Sequence, residues 1–370
     1  MNGLIPCLTF AFVYSVFAST TYASDLATDE VAVFFNTSGR LDSQGANWVL
    51  PVHGWVFAPD EQSKAKAVAL AALGRLLDIE PTPEEQPIFR RRAWPFLVDN
   101  RKRKELSVRV GSRYFVLPES ESNGHVQETL RLPVAEADKL ALGHEPEGRW
   151  IRFTLDTAEG DEREFAGAVR LIAARGLSVI SDIDDTIKIT EVADRKTLLK
   201  NTFLRPFEAV PGMAEIYRDW AETGMVFHYV SASPWQLYQP LTEFRVGSGF
   251  PAGSLELQPF RWKDKSAINL FREPDTLKRP SIDALLAEFH ERRFILVGDS
   301  GQRDPELYGE LYRQHPKQIA RIYIRNVTRE KRDGERFLEA FNGVPREIWR
   351  VFDRPVEIER DELPEPLPEP

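Results

Sequence analysis

The stretch that most constrains this chain is Leu177-Ser178-Val179-Ile180-Ser181-Asp182-Ile183-Asp184-Asp185-Thr186. A short apolar run, opened by Gly176 and closed by carboxylates at 182, 184 and 185, has the pattern of a buried parallel strand that delivers acids to one edge of a sheet. Open α/β sheets place their ligands outside that carboxyl edge. Carboxylates so crowded repel one another, so they hold protons or gather round a cation, and a hard metal such as Mg2+ suits oxygen donors. An acidic turn after a strand is the plainer alternative, but the order Asp-x-Asp-x-Thr behind an apolar strand is too specific for it.

Three further runs repeat the arrangement. Met225 to Val230 ends at Ser231-Ala232-Ser233, Phe294 to Val297 delivers Gly298-Asp299-Ser300-Gly301-Gln302-Arg303-Asp304, and Ile319 to Ile324 is the last. Between them lie helical patterns: Met213, Ile216, Tyr217 and Trp220 after Pro211-Gly212; Ile282, Leu285, Leu286 and Phe289 within Ser281 to His290; and Leu307, Tyr308, Leu311 and Tyr312. Four strands separated by helices predict a doubly wound parallel sheet with the acids at its carboxyl edge.

Each edge residue has a plainer reading beside the functional one. Ser231, directly after its strand, can hydrogen-bond a ligand oxygen at the edge, whereas Ser233 before Pro234 reads as a helix N-cap. Asp304 precedes Pro305 and would also serve as an N-cap, but Asp299 at a buried strand end needs a cation or donors. Lys278 stands ahead of the Ser281 helix, with Lys263 and Lys265 as competitors, and His228 reads as structural. Glu191 to Pro206 reads as a short helical or looped excursion over the catalytic edge. Gly247 to Asp275 lacks the Gly-Lys-Ser/Thr ending of a Walker loop and reads as a lid carrying Phe260, Trp262 and Phe271.

The segment Asp182 to Thr186 resembles motif one of the haloacid-dehalogenase-like (HAD) phosphotransferases. The longer string Ser-Asp-Ile-Asp-Asp-Thr-Ile-Lys resembles the branch that holds the actin-patch-associated phosphatidate phosphatases and their bacterial relatives. The resemblance runs from about Phe165 to Thr328, with Ser231 in the place of motif two, Lys278 of motif three, and Asp299 with Asp304 of motif four. It implies that Asp182 attacks phosphorus to form an aspartyl phosphate, and that Asp184 protonates the leaving oxygen and then activates water. It further implies Mg2+ held by Asp182, the Asp184 carbonyl, Asp299 and Asp304, with Lys278 offsetting charge and Thr186 and Ser231 bonding the phosphoryl group. The activity implied is Mg2+-dependent conversion of phosphatidate to diacylglycerol. The chain departs from the eukaryotic relatives in its export signal and in lacking their long tail of partner-binding motifs, so no protein partner is expected.

At 370 residues the chain is long enough for two cores. From 24 to 174, alternating runs at Val31 to Phe35, Val52 to Phe57, Leu106 to Val110, Tyr114 to Leu117, Trp150 to Leu155 and Phe165 to Leu171 predict a mainly antiparallel β-sandwich. A helical insertion starts at Ser63, with Val68, Leu70, Leu73, Leu76 and Leu77 on its apolar face. Thr82-Pro83-Glu84-Glu85 then reads as a capping box, and Pro87 limits the next helix to about one turn. Phe89 to Lys104 sets seven cations around Trp94, Pro95 and Phe96, which reads as an anionic-membrane or nucleic-acid patch, or as solvated strand ends with inward aromatics. The net charge of −9 offers no global attraction to nucleic acid. His53 and His125 read as isolated residues of this first unit.

Residues 1 to 23 carry no charged side chain and read as a secretory signal peptide, with an uncleaved anchor as the alternative. Export to the periplasm or the medium is expected, and a mature chain without Cys7 would have no cysteine. The catalytic unit is expected over 175 to 352. Residues 353 to 370, rich in Pro and Glu, read as a disordered tail. Three functions fit: a phosphatidate phosphatase of the envelope, an exported phosphatase of soluble phosphomonoesters, and a non-catalytic binding protein on a phosphatase scaffold.

Overall fold

The computed structural model describes residues 23–143, 148–259, 274–359 and 361–365. Lys263, Lys265 and the expected lid aromatics Phe260, Trp262 and Phe271 lie outside the described residues, as does the leader up to residue 22.

The first half folds into nine strands: β1 (Val31–Phe35), β2 (Thr37–Leu41), β3 (Asn47–Ala58), β4 (Asp99–Asn100), β5 (Ser107–Val110), β6 (Arg113–Val116), β7 (His125–Pro133), β8 (Arg149–Leu155) and β9 (Ala166–Leu171). They form one hydrogen-bonded sheet, ordered β1-β3-β2-β9-β8-β5-β6, with β4 and β7 also paired to β3. The sheet is mixed, because β2 runs parallel to β9 while the other pairings are antiparallel. Strand β7 escapes a reading of alternation because Gln127, Glu128 and Thr129 interrupt it. It is specified by its register with β3, from Asn47 opposite Pro133 to Trp55 opposite His125. Phe34 of β1 meets Phe153 of β8 edge-on at 5.0 Å although three strands separate them in the order, so the sheet curls over a core of Leu50, Val56, Val108, Leu132, Ile151 and Val169.

Two helices, α1 (Lys64–Leu76) and α2 (Gln86–Ala93), interrupt this sheet, and α3 (Val134–Leu140) comes directly after β7. Ser63 caps α1 as expected, accepting from the Lys66 amide, and Leu70, Leu73 and Leu77 are buried, but Val68 and Leu76 face solvent. The capping box also forms, Thr82 N–H donating to Glu85 and Glu85 N–H to Thr82. Pro87 does not cut the helix short. It sits in the first turn, where a missing N–H costs nothing, and α2 runs on to Ala93.

The aromatics of the 89–104 stretch point inward. Phe89, Trp94 and Phe96 share a core with Leu199, Phe203 and Met213 of the second half. Its cations are largely engaged: Arg91 pairs with Glu243, Arg101 and Lys104 with Glu30, and Arg90 lies over the Trp94 ring.

The second half is α/β. Strands β10 (Leu177–Ser181), β11 (Val226–Pro234), β12 (Gly253–Gln258), β13 (Arg293–Asp299), β14 (Ile319–Arg325) and β15 (Trp349–Phe352) form a parallel sheet ordered β12-β11-β10-β13-β14-β15. Around it lie α4 (Arg195–Phe203), α5 (Met213–Glu222), α6 (Tyr238–Gly247), α7 (Pro274–Glu288), α8 (Asp304–Gln314), α9 (Glu335–Ala340) and α10 (Val356–Glu359). Among the described residues there are six strands where four were expected. The two added ones are the edges, one carrying an acidic Glu256 among buried neighbours and one only four residues long. The expected tail is anchored over its first part: Ile358 of α10 is fully buried, and Asp361 accepts from Tyr323 and Arg350. No helix among the described residues is long and apolar enough to cross a membrane.

Edge strand β12 carries a testable cost. Burial pushes the Glu256 carboxyl up to about 7, the charge of Glu288 adds to this, and the Ser254 hydroxyl opposes it. The unfolded chain releases that proton near 4.5, so the folded state holds more protons between 4.5 and about 7, and stability falls as pH rises through that window. Glu256→Gln should therefore stabilise the protein at pH 8 by about 2 kcal/mol and change little at pH 4. Thermal melts at both pH values check this; equal shifts at the two would contradict it.

Candidate active site

The chain turns sharply where β10 ends. The Asp182 amide donates to the Val297 carbonyl, and the amides of Ile187 and Lys188 both return to the Ile183 carbonyl. Asp185 takes a left-handed conformation, φ 56°, which is costly outside glycine. Its carboxylate offsets that cost by accepting from the amides of Thr190, Glu191 and Val192 at 2.8, 2.8 and 2.6 Å. The third acid of the motif is thus a latch for the loop, its oxygens spent on backbone.

Two strand ends and one helix start bring the other acids together. Among the described residues, Asp182, Asp299 and Asp304 each offer a carboxylate oxygen within 4.8 Å of the others, and all three are buried. Lys278 Nζ lies 2.8 Å from Asp182 Oδ1 and 2.7 Å from Asp304 Oδ1. Lys278 stands inside α7, which starts before the expected Ser281; Pro280 lies within the helix instead of ahead of it. Asp304 is the first residue of α8 and makes no capping bond to it. Its Oδ2 instead accepts from the Asp299 amide at 3.2 Å. A side chain at Gly298 would meet that oxygen, since a Cβ there would lie 2.4 Å from it. Asp299 Oδ1 accepts from the amides of Gly301 and Gln302, while its Oδ2 is buried without a donor.

Burial raises the Asp182 carboxyl to about 7 against the pull of Lys278, and raises Asp299 well above the carboxylate range, with the charges of Asp304 and Asp182 adding. Burial alone would lower Lys278; the carboxylates of Asp182, Asp304 and Asp299 outweigh it and keep the ammonium protonated. Three carboxyl groups meet one ammonium, so without a cation the surplus acids hold protons, and the orphaned Asp299 oxygen faces no donor. That donor set fits an oxygen-preferring cation.

Asp184 sits apart with its own lysine. Its Oδ1 lies 2.7 Å from Lys188 Nζ and accepts from Thr190 Oγ1 at 2.8 Å; its Oδ2 accepts from Ser231 and Ser233, both at 3.2 Å. Burial would raise this carboxyl, but Lys188, joined by the Thr190 hydroxyl and Lys278, outweighs burial and holds it below the usual range. Thr186 Oγ1 donates to Asp182 Oδ2 at 3.1 Å. Ser233 is not an N-cap: β11 stays extended through Pro234, and the next turn has no side-chain cap, so Ser233 joins Ser231 on Asp184.

All seven residues singled out in the sequence, Asp182, Asp184, Thr186, Ser231, Lys278, Asp299 and Asp304, therefore meet at one sheet edge. Lys188 and Thr190 were missed, although a lysine four residues after an acid in a buried turn is the signal of a partner. His228 is structural as expected, its Nδ1 3.0 Å from Ser254 Oγ. His53 and His125 are not isolated. They pair at 2.9 Å, packed on Phe35 and Trp235, and burial lowers them to about 3 and about 4, with the neighbouring His125 adding to the shift of His53.

Comparison with known proteins adds to this geometry. Over 182 residues the chain is 34% identical to phosphatidate phosphatase APP1 of Saccharomyces cerevisiae, covering 47% of this chain and 30% of that one. Over 169 residues it is 30% identical to an uncharacterized protein of Schizosaccharomyces pombe, covering 45% and 27%. The chain thus spans less than a third of the length of these relatives. A Parabacteroides merdae beta-glucuronidase structure aligns over 79% of this chain and 39% of its own at 11% identity, with a TM-score of 0.26, too low to bear on fold or function. What matches a described family is residues 177–326, which open with β10, close just past β14 and hold all seven site residues: they are similar to the family of the phosphatidate phosphatase APP1 catalytic domain.

Proposed function

We propose that this chain is a Mg2+-dependent phosphatase of the HAD type acting through an aspartyl phosphate, with phosphatidate as substrate. The observation that carries the reading is the buried charge arrangement: Asp182, Asp299 and Asp304 around Lys278, beside Asp184 with a separate lysine. The likeness of residues 177–326 to the APP1 catalytic domain supports the substrate.

Asp182 attacks phosphorus in line, and the oxygen of the alcohol leaves as its bond to phosphorus breaks. Asp184 gives that oxygen its proton, the negative phosphoryl group having favoured the protonated acid. The same carboxylate then takes a proton from the water that cleaves the acyl phosphate, returning Asp182. Lys278 offsets charge on the phosphoryl oxygens, and the hydroxyls of Thr186 and Ser231, now on Asp182 and Asp184, turn to those oxygens. Asp182, the Asp184 carbonyl, Asp299 and Asp304 would hold Mg2+, which when bound neutralises developing negative charge on phosphorus.

The test is phosphate release by the purified protein from phosphatidate vesicles and from soluble monoesters, with Mg2+ or EDTA, beside thermal melts. Release from phosphatidate should require Mg2+, and saturating Mg2+ should raise Tm by about 5 °C, as about 2 kcal/mol of binding linkage implies. Asp299→Asn should abolish that rise. Release undiminished in EDTA, or melts blind to Mg2+, would sink the metal assignment. A second reading, hydrolysis of soluble monoesters, is favoured by the inward packing of Trp94 and Phe96, which removes the apolar part of the expected membrane patch. Release from soluble esters alone would establish it.

A further inference from the structure

We propose that Arg92, on a helix of the first half of the chain, is a positioning residue for Asp184, acting through Phe207 and Lys188. This rests on the reading of Asp184 as the proton-transfer group, and it gives the region before β10 a part in the reaction that the matched segment 177–326 does not contain.

The guanidinium of Arg92 is buried, 8% exposed, and its Nη1 donates to the carbonyls of Thr202 at 2.8 Å and Arg205 at 2.6 Å. The last carbonyls of a helix have no partner within it, so an arginine from α2 closes the end of α4 and fixes the turn beyond it. That turn carries Phe207. The Arg92 guanidinium lies 3.6 Å from the centre of the Phe207 ring, and Lys188 Nζ lies 4.8 Å from the same centre. Backbone pairing keeps the two in register: the Ile189 amide donates to Glu208 at 2.8 Å, and the Val210 amide to Ile187 at 2.9 Å. Lys188 then reaches Asp184 at 2.7 Å.

Each contact narrows what the next group can do. A buried ammonium on a four-carbon stem has rotamers to choose from, and the face of Phe207 favours the one that meets Asp184. Arginine suits this ring contact because it stacks as a plane while still donating in its own plane to two carbonyls. A purely structural Arg92 would hold α4 in place and leave the chemistry of Asp184 alone. The geometry points further, because the ring that Arg92 covers is the ring Lys188 rests on.

The experiment uses the full chain with Arg92→Met, Phe207→Leu, Phe207→Tyr, Lys188→Met and the Arg92→Met/Lys188→Met double variant. Removing Arg92 or the aromatic face should lower kcat about tenfold with KM nearly unchanged, since small misplacements of a reacting group have effects of that size. Phe207→Tyr keeps the ring and should keep kcat. The double variant should be no slower than Lys188→Met alone, the signature of residues acting in series. Additive losses, or a lowered Tm with kcat intact, would overturn the proposal. A carboxyl carbon NMR signal of Asp184, assigned with Asp184→Asn, separates this from the fate of the phosphatase reading. A wild type that releases no phosphate while Arg92→Met still moves that signal would condemn the chemistry and keep the positioning. A working wild type with neither kcat nor the signal moved by Arg92→Met would condemn the positioning alone.

Discussion

Asp182→Asn should lower phosphate release by at least about 10⁴-fold while leaving the protein folded. An amide of the same shape has no charge with which to attack phosphorus, and no other carboxylate stands at the end of β10 in its place. Asp184 is one turn on and saturated by Lys188, Thr190, Ser231 and Ser233; Asp185 is tied to three amides. The substitution also removes a buried charge that repels Asp299 and Asp304, and Lys278 keeps its 2.7 Å contact with Asp304. Melting in the absence of metal should accordingly occur at the wild-type temperature or above it. With Mg2+ the order should reverse, because the variant has lost a ligand and its Tm should rise less. Phosphate release together with melts in both conditions checks the two halves at once. Residual activity above about 1% of wild type would show that Asp182 is not the nucleophile.

The parallel sheet was legible because its central strands are continuous apolar runs, each closed by a polar residue at the same edge. Val179, Ile180, Leu296 and Val297 are fully buried, as such runs require. What escaped was set by partners distant in sequence. Strand β7 is defined by its ladder with β3, and β12 by a place beside β11, neither of which a local pattern reveals. Pro87 was read as a limit on its helix and the next catalytic helix was expected only from Ser281, yet Pro87 opens a helix and Pro280 sits within one that starts earlier, where Lys278 makes its two ion pairs. At the site, the residues that bear charge toward the centre were found, since strand ends and motif spacing point to them. The residues that act on those charges, Lys188, Thr190 and Ser233, were missed or misassigned. A lysine looks solvated, and a serine before proline looks like a cap, until the fold shows what each faces.

Lys278→Met should be the most destabilising change at the site, by about 3–5 kcal/mol, or roughly 10 °C in Tm. Its ammonium, 1% exposed, touches two of three buried carboxylates and lowers the third from a distance. Deleting it leaves those acids facing one another within 4.8 Å, with burial preventing water from screening them. They must then hold protons at neutral pH, so the variant's folded state binds more protons than its unfolded state. Its stability relative to wild type should consequently recover as pH falls toward 5, the reverse of ordinary acid denaturation. Divalent metal offers a second route to recovery. With the ammonium gone, only protons or metal can balance the three acids, so millimolar Mg2+ should raise the Tm of Lys278→Met by more than that of wild type. Activity should not return with stability, because the positive charge beside the attacked phosphoryl group is gone, a loss of about 10³-fold. Melts at pH 5 and 8, with and without Mg2+, decide the matter. A variant that melts like wild type in all four conditions would mean that the three acids do not depend on Lys278 for their charge balance, and the surplus of crowded acids on which the metal assignment stands would fail with it.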